Sequence, residues 1–233
     1  MIIKIDDNCS ILFGNASSFP IWHKDPAFKD FCNMLREQLS LNALVLDRQV
    51  HGTAGRIIES ASSPTMIFET EGDWLMTSTP GVGIGVLVAD CLPIVFYEPQ
   101  SKLVAVAHAG WKGSVQSIAP VVLKKFAERT SNKPKIFFGP SGRSCCYEVK
   151  DDFVKQVENV AHAKECIIQR NNKLFFDNTR FNTLQLQDMG VNPDQIDTTH
   201  NLCTICNHQF HSYRRATDKT MYNTQGTVVW LRH

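Results

Sequence analysis

Residues 81–113, GVGIGVLVADCLPIVFYEPQSKLVAVAHAGWKG, form the stretch that decides the fold. Within it, the segments 81–88 and 102–107 are apolar almost without interruption rather than alternating. Such runs predict strands that are covered on both faces. The first run leads into Asp90 and Cys91 and the second into His108, and functional sites are commonly built where strands end. The sequence therefore predicts buried strands with polar chemistry at their ends.

A hairpin is predicted between these runs. Residues 98–101, EPQS, carry a proline in the second position, which favours a type I turn joining strands 92–97 and 103–107. A turn centred between Pro99 and Gln100 places Cys91 opposite His108, with Cβ atoms about 4.5 to 5.5 Å apart. Pro93 lies inside the hairpin, and a bulge there would shift the pairing by one residue.

The predicted pair of Cys91 and His108 has the spacing of two ligands of one metal ion. A thiolate binds zinc at about 2.3 Å and an imidazole at about 2.0 to 2.1 Å. His51, in the loop 48–52, is the natural third ligand, and three protein ligands with one open position are typical of catalytic zinc. The alternative interpretation is that each residue is an ordinary core or surface side chain, but the shared register favours a metal site.

The rest of the chain predicts an α+β fold, a single domain over residues 1–233 in which mixed β-sheets are layered with helices. Asn178 is predicted to cap the last helix, and Gly190 to end it in a left-handed conformation. The predicted helices span residues 26–39, 113–129, 151–161 and 179–189. Besides the hairpin, the predicted strands span residues 43–46, 82–88, 136–138 and 227–231.

Composition and charge narrow the class of protein. Lys plus Arg number 24 against 23 Asp plus Glu, a net charge of +1 that offers no electrostatic footprint for nucleic acid or an anionic membrane. The first residues, MIIKIDDNCS, do not read as a secretory signal, and no apolar run is long enough to span a bilayer. The eight irregularly spaced cysteines favour reduced thiols over a disulfide framework. We therefore expect a cytoplasmic protein with small-molecule partners.

An ordered series of motifs from about residue 43 onward resembles the YfiH-type family, also called laccase-domain or polyphenol-oxidase-like proteins. In that family the His of the VHG motif, the Cys of ADCLP and the His of HAGW bind zinc, which implies His51, Cys91 and His108 here. Individually weak but specific as a set, the motifs are RQVHGT, EGDWLMT, ADCLPI, HAGWKG, GPSGRSCCYEV, FFDNTRFNTLQLQDMGV, NLCTIC and FHSYRR.

The resemblance implies a zinc-dependent purine nucleoside phosphorylase that acts on adenosine, inosine, guanosine and methylthioadenosine, with adenosine deamination at the same site. Phosphate would be the co-substrate, and copper could substitute for zinc. Three features depart from the family pattern. Val88 stands where threonine is frequent, Lys112 replaces a common arginine, and no Thr-Gly-Arg turn follows SYRR.

Basic residues in or beside the motifs are candidate phosphate ligands, because a phosphate needs cations or N–H donors. Arg48 and Arg214 are favoured over Arg143 and Arg215. Lys112 is a further candidate, since it opens a predicted helix whose N-terminal amides suit an anion. Each could equally be a solvated surface residue.

Other polar residues of the motifs have two interpretations each. If the strand stays extended, Asp90 faces away from Cys91 and supports the site indirectly. Asp73 is either a base or orienting group, or the cap of a turn. Tyr147 and Glu148 either line the pocket or cap the helix that starts near residue 151.

A second metal site is suggested by Cys203 and Cys206, which form a CxxC motif followed by His208 and His211. Because all four crowd into nine residues without a longer element folding over the metal, buried packing of Cys203 is the favoured interpretation. The adjacent Cys145 and Cys146 are expected simply to remain reduced.

Three other functions compete with the nucleoside enzyme. A multicopper oxidase needs many histidines, typically in His-x-His pairs, and the eight histidines here form no such pair. A metal-free hydrolase or amidase using Cys91 with His108, for example on peptidoglycan precursors, needs only those two groups. Nothing in the sequence supports a non-catalytic binding protein. The preferred nucleoside, the balance of the two reactions and the oligomeric state stay open.

Overall fold

A computed structural model describes all 233 residues and confirms the predicted α+β fold. It contains fifteen strands and five α-helices. In chain order the strands are β1 (Ile2–Lys4), β2 (Cys9–Phe13), β3 (Ala43–Arg48), β4 (Gly55–Ile57), β5 (Thr65–Glu71), β6 (Trp74–Thr77), β7 (Val82–Val88), β8 (Leu92–Glu98), β9 (Leu103–Ala109), β10 (Lys135–Phe138), β11 (Glu148–Val149), β12 (Ile167–Arg170), β13 (Lys173–Phe176), β14 (Ile196–Asp197) and β15 (Gln225–Leu231). The helices are α1 (Phe28–Gln38), α2 (Trp111–Val115), α3 (Ile118–Ala127), α4 (Asp151–Val157) and α5 (Asn178–Asp188).

The strands form two six-stranded sheets and one three-stranded sheet. The first has the order β1-β2-β15-β7-β3-β5, the second β14-β10-β8-β9-β6-β4, and the third β11-β13-β12. Both large sheets are mixed. In the first, β3 runs parallel to β5 and β7; in the second, β4 runs parallel to β6, whereas the central β8–β9 pair is antiparallel.

The two large sheets pack face to face around the largest apolar cluster, which joins Val45 and Val86 of the first sheet to Val95 and Val106 of the second. Helices α3 and α5 cover the outer face of the second sheet, and α1 covers that of the first. Every residue of β7, β8 and β9 is buried. The prediction of strands covered on both faces is thus confirmed.

The predicted hairpin is present, but its register differs from the prediction. Pro93, not Cys91, lies opposite His108, and Glu98 pairs with Leu103. The turn is therefore centred one residue later than expected. The cause is Glu98, which continues the strand while its carboxylate accepts the N–H groups of Gln100 (3.0 Å) and Ser101 (2.6 Å).

The helices follow the prediction with two corrections. The predicted helix 113–129 is two helices, α2 and α3, separated at Ser117, whose φ is 66°. Pro120 explains the break, because proline lacks an N–H and fits only the first turn of a helix. The cap of α5 is Asp177, which accepts the N–H of Arg180, rather than Asn178. Gly190 has the expected left-handed φ of 77°.

The remaining differences concern short elements. Helix α4 ends at Val157 rather than at residue 161, and strands such as β2, β5 and β6 were not predicted. Strand β6 has four residues, and β5 is buried only at its start, so neither gives a long periodic signal. None of the helices combines the length and apolar character required to cross a membrane.

Candidate metal centre

Three side chains from separate parts of the chain meet at one end of the large sheets. His51 follows β3, Cys91 precedes β8 and His108 lies in β9. Their potential donor atoms all lie within 4.8 Å of one another, and Cys91 Sγ is 3.9 Å from His51 Nε2. The rings of His51 and His108 are nearly perpendicular, with centroids 4.7 Å apart. The structure therefore brings together the three residues predicted to hold a metal.

Cys91 and His108 meet despite the changed register. In the observed pairing Cys91 precedes Leu92, which faces Ala109, so His108 is a diagonal neighbour of Cys91 rather than its direct partner. Moving the turn by one position shifts the pairing by two residues, and side chains alternate between faces with a period of two. The two side chains consequently stay on the same face.

Asp73 organises the site from a fully buried position between β5 and β6. Its carboxylate accepts the N–H groups of Val50 (3.2 Å), His51 (3.0 Å) and Gly52 (2.7 Å). Its Oδ1 also lies 2.9 Å from His108 Nδ1. These contacts hold His51 at a φ of 62°, a conformation that L-residues rarely adopt. Of the two interpretations of Asp73, the structure favours an orienting group.

The hydrogen bond with Asp73 also decides which nitrogen of His108 faces the site. When Nδ1–H donates to the carboxylate, the lone pair of the imidazole is on Nε2. A carboxylate behind a histidine in this way fixes the tautomer of a metal ligand and increases its basicity. His108 is thus oriented to bind through Nε2.

The electrostatic surroundings of Cys91 favour its thiolate, the form that binds a metal ion. Burial alone would raise the pKa of Cys91, but the charge of His108 and hydrogen bonds from His108 and His51 lower it to about 6. Burial alone would lower the pKa of His108, but the Cys91 thiolate and Asp73 raise it to about 9. Burial opposes the ionised form of Asp73, yet bonds from His108, Gly52 and Val50 hold its pKa below the usual value. These interactions favour a thiolate at Cys91 beside a protonated His108.

Gly110 leaves the space that the three side chains occupy. A Cβ at this position would lie 3.0 Å from Cys91 Sγ and 3.0 Å from His51 Cδ2. Side-chain carbon atoms rarely approach that closely. Gly110 was not predicted to have a role of its own, although its place in HAGWKG, between His108 and a predicted helix, was an available signal.

The donor set fits zinc. A tetrahedral ion bound at about 2.1 Å to nitrogen and 2.3 Å to sulfur holds those two atoms about 3.6 Å apart. The observed 3.9 Å between Cys91 Sγ and His51 Nε2 is close to that value. One thiolate and two imidazoles also leave a coordination position for a small molecule.

Asp90 does not have the extended backbone that was expected, because its φ is 84°. Its carboxylate accepts hydrogen bonds from Thr204 Oγ1 (2.6 Å), Ser212 Oγ (3.0 Å) and the N–H of Arg214 (2.7 Å). Asp90 therefore holds the segments that contain Thr204 and Ser212 close to its own backbone, next to Cys91 in the chain. This matches the supporting role proposed for it, although for a different geometric reason.

A cavity of about 300 Å³ has Trp111, Tyr147 and Arg214 in its lining, and Trp111 is three residues after His108 in the chain. The guanidinium carbon of Arg214 lies 4.1 Å from the centre of the Tyr147 ring. Burial, followed by the charge of the nearby Cys91 thiolate, raises the pKa of Tyr147 to about 12. Tyr147 and Glu148 line this cavity, whereas neither side chain caps α4.

The predicted phosphate ligands are not all brought together. Arg48 pairs with Glu71 at 2.7 Å, and both side chains are more than half exposed. Arg48 and Lys112 line neither the cavity beside Arg214 nor the larger one lined by Ser212 and Arg215. Lys112 lies in the first turn of α2, as predicted, but this helix has only five residues. The structure therefore favours Arg214 among the three.

A larger cavity, of about 530 Å³, is lined by Ser212, Arg215 and much of the segment that follows them. This segment replaces the Thr-Gly-Arg turn of the family pattern. Burial and then the charge of the Cys91 thiolate raise the pKa of Tyr222 in this lining. The linings of the two cavities include none of the three proposed ligands.

The CxxC motif has different neighbours from those considered in the sequence. His211 Nε2 lies 2.8 Å from the carbonyl oxygen of Phe19 and so does not join the cysteines. Instead, Cys203 and Cys206 lie against Cys145 and Cys146. Cys203, which was expected to be buried packing, is only partly buried, and the fold brings the two pairs together although they are distant in sequence.

Comparison with known proteins places these features in context. Residues 27–232 match the model of a family described as multi-copper polyphenol oxidoreductase laccase. A Borreliella burgdorferi protein named purine nucleoside phosphorylase is 37% identical over 166 residues, covering 69% of this chain and 69% of that protein. Adenosine deaminase RL5, from an unknown prokaryotic organism, is 33% identical over 188 residues, covering 76% and 71% respectively. The crystal structure of YlmD from Geobacillus stearothermophilus has a TM-score of 0.74 and 26% identity, covering 88% of this chain and 80% of that one.

Proposed function

The chain belongs to this YfiH-type, laccase-like family, and from that premise we propose that it is a zinc-dependent purine nucleoside phosphorylase that also deaminates adenosine. The observation that carries the proposal is the group formed by His51, Cys91 and His108, which a single carboxylate, Asp73, orients. Relatives named purine nucleoside phosphorylase and adenosine deaminase support both activities. Adenosine, inosine, guanosine and methylthioadenosine are the proposed substrates, with phosphate as co-substrate.

The proposed ligands are His51, Cys91 and His108, and each has a defined task. Asp73 keeps the proton of His108 on Nδ1, so that Nε2 is the donor atom. The thiolate of Cys91 is available near neutral pH because its pKa is about 6. When bound, zinc would supply a Lewis acid that polarises an oxygen atom or activates water.

Arg214 is the proposed phosphate ligand. Its side chain makes one hydrogen bond within the chain, to the carbonyl oxygen of Glu148, which leaves guanidinium donors for an anion. A guanidinium fork binds phosphate bidentately, whereas lysine offers a point charge. Trp111 and Tyr147 in the same cavity offer aromatic faces on which a purine can stack.

Copper chemistry is less well supported by the residues present. A multicopper oxidase needs a cluster fed by many histidines, and only two of the eight histidines belong to this group. A mixed thiolate and imidazole site accepts copper readily, because copper binds such ligands more tightly than zinc does. Phenol oxidation after copper loading would therefore not establish the function.

The deciding experiment is a product assay with adenosine as the substrate. We expect adenine and ribose 1-phosphate only when phosphate is present, and inosine with or without it. His51→Ala should remove both activities together with the bound zinc, whereas His208→Ala, an exposed histidine outside the group, should retain them. Full phosphorolysis by the His51→Ala variant would refute the role of the metal.

Phosphorolysis and deamination should respond differently when Arg214 is replaced. Arg214→Ala should raise the KM for phosphate or lower phosphorolytic turnover by at least about tenfold, because it removes a charge-assisted bidentate contact. Deamination uses water and should be damaged less. Arg48→Ala should have a smaller effect than Arg214→Ala, and Arg129→Ala, a surface arginine paired with Glu59, is the matched control. Equal loss of both reactions in Arg214→Ala would argue against phosphate binding.

One observation favours a second function. A thiolate beside an imidazolium, with a carboxylate behind the histidine, is also the arrangement of a metal-free cysteine hydrolase. Chelation distinguishes the two functions, because removing zinc should abolish nucleoside turnover but would leave such a hydrolase active towards amide substrates.

The single-domain organisation over residues 1–233 and the cytoplasmic setting stay predictions.

A further inference from the structure

A second group of potential metal ligands lies outside the site described above. Cys145 and Cys146 come from the loop before β11, and Cys203 and Cys206 from the loop after β14. Their four sulfur atoms all lie within 4.8 Å of one another. Backbone bonds align the two loops, because Ser141 N–H donates to Leu202 O and Thr204 N–H donates to Ser141 O.

The spacing of the sulfur atoms indicates which ion they suit. Zinc bound to four thiolates at about 2.3 Å holds the sulfur atoms about 3.8 Å apart. In an iron–sulfur cluster the four cysteines are divided among two or more iron atoms, so their sulfur atoms do not all surround a single ion. A disulfide would join the cysteines only in pairs and does not require four sulfur atoms in one compact group.

We propose that Cys145, Cys146, Cys203 and Cys206 form a second, structural zinc site, in addition to the one that the proposed function requires. Four thiolates complete the tetrahedron and leave no position for substrate, which distinguishes a structural from a catalytic site. The histidines of the CxxC segment take no part, since His211 Nε2 contacts the carbonyl oxygen of Phe19 and His208 does not belong to the compact group of four cysteines.

Neighbouring charges suit the complex. One divalent ion with four thiolates carries a net negative charge, which is stabilised by nearby cations. The guanidinium of Arg170 donates to the carbonyl of Cys145, and that of Arg215 donates to the carbonyls of Thr204 and Ile205. Positive charge is therefore held at both loops that supply the cysteines.

The site would fasten the loops that support the first metal centre. Tyr147, which lines the smaller cavity, follows Cys146 directly. Thr204, which donates to Asp90 beside Cys91, follows Cys203. Zinc held between the two loops would thus stabilise the surroundings of the proposed active site without contacting substrate.

Metal content of the full chain, purified with a thiol reductant, tests the inference. We expect two zinc ions per chain in the wild type, one in His51→Ala, one in Cys203→Ser and none in the double variant. Cys32→Ala, a buried cysteine outside both groups, should retain both ions. Loss of all zinc in His51→Ala, with unchanged zinc in Cys203→Ser, would overturn the second site while leaving the proposed function intact.

A second measurement avoids dependence on variants that fail to fold. Cys145 and Cys206 are exposed, so in wild-type protein that a chelator has stripped of metal under reducing conditions they should react with iodoacetamide. Added zinc should protect both from alkylation, and a chelator should restore the labelling seen by mass spectrometry. Equal labelling with and without zinc would refute the proposal. An intact mass, measured without reductant, that showed disulfides and no bound metal would also refute the proposal.

Discussion

Asp73 shows how a single residue can position two ligands at once. Its carboxylate accepts the N–H of His51 and contacts Nδ1 of His108, two residues that come from different elements. A merely structural carboxylate would affect stability alone, whereas an orienting one affects metal affinity as well. The difference is measurable with a nearly isosteric substitution.

We expect Asp73→Asn to weaken zinc binding by about 10 to 100-fold, as is usual when the partner behind a ligating histidine is altered. The amide is neutral and would no longer favour the Nδ1–H tautomer of His108. Competition against a chromophoric chelator measures the affinity. Glu71→Gln is the control, because this carboxylate is nearby but exposed and paired with Arg48. Wild-type affinity in Asp73→Asn would show that Asp73 only caps the loop.

Gly110 gives a second prediction at the residue scale. A Cβ there would approach Cys91 and His51 to 3.0 Å, whereas a Cβ at Gly52 would meet nothing closer than 3.6 Å. Gly110→Ala should therefore lower the affinity for zinc, while Gly52→Ala in the same site should not. Isothermal titration of the metal-free variants with zinc measures both affinities. Equal affinities would mean that the ligands can move aside at no cost.

Cys91 and His108 could be predicted as partners because side chains alternate along a strand, so an error of two residues in the pairing leaves them on the same face. His51 was named from its loop and from the family resemblance. His108 is diagonal to Cys91 rather than opposite to it, but both side chains remain on one face. The contributions of Asp73 and Gly110 could not be derived in the same way. Both depend on where the loop with His51 lies relative to β6 and β9, which is a tertiary contact without a local signal.

Secondary-structure elements with a long local sequence signal were predicted, and those without one were not. The buried strands β7, β8 and β9 have long apolar runs and were predicted nearly residue by residue, whereas short strands such as β6 were missed. The break between α2 and α3 was missed because the apolar pattern continues through it. Pro120 was the available signal, since it restricts where a helix begins.

The turn of the central hairpin supplies the prediction at this scale. Glu98 is buried, and its carboxylate accepts two backbone N–H groups of the turn. Burial opposes its ionised form, but these hydrogen bonds hold its pKa below the usual value. Glu98→Ala leaves both N–H groups without their charged acceptor and should lower the free energy of unfolding by about 1.5 to 3 kcal/mol.

Urea denaturation followed by circular dichroism measures this loss. Glu128→Ala is the control, because that carboxylate is exposed and bonds only to Lys125, and it should change the free energy by less than about 1 kcal/mol. A loss in Glu98→Ala no larger than in the control would show that the turn does not depend on the carboxylate.

At the scale of the whole molecule, the two large sheets are joined by a polar contact as well as by their shared core. The Tyr97 hydroxyl, on β8 of the second sheet, donates to Asp6 Oδ2 at 2.7 Å, and Asp6 lies between β1 and β2 of the first. Asp6 also accepts the N–H groups of Asn8 and Cys9. The Tyr97 side chain is fully buried, so its hydroxyl has no route to bulk water if Asp6 is removed.

This contact should make stability depend on pH in a defined direction. Burial raises the pKa of Asp6, but the bonds from Tyr97, Asn8 and Cys9 outweigh it and bring the pKa below the usual value. A carboxyl whose pKa is lower in the folded state stabilises the protein above its unfolded pKa of about 3.9 and loses that contribution as the pH falls. The difference in unfolding free energy between wild type and Asp6→Asn should therefore be largest near neutral pH and shrink below about pH 4.

Tyr97→Phe tests the same contact from the other sheet and should lower the free energy of unfolding at pH 7 by about 1 to 2 kcal/mol. Tyr213→Phe, which deletes a hydroxyl from an exposed ring, is the matched control and should change it little. Urea denaturation of both single variants and the double variant at pH 7 and at pH 3 gives the coupling energy between the two side chains. We expect positive coupling at pH 7 that declines at pH 3, because protonated Asp6 is a weaker acceptor. Additive losses at pH 7, or a coupling that does not change with pH, would show that the apolar core alone holds the two sheets together.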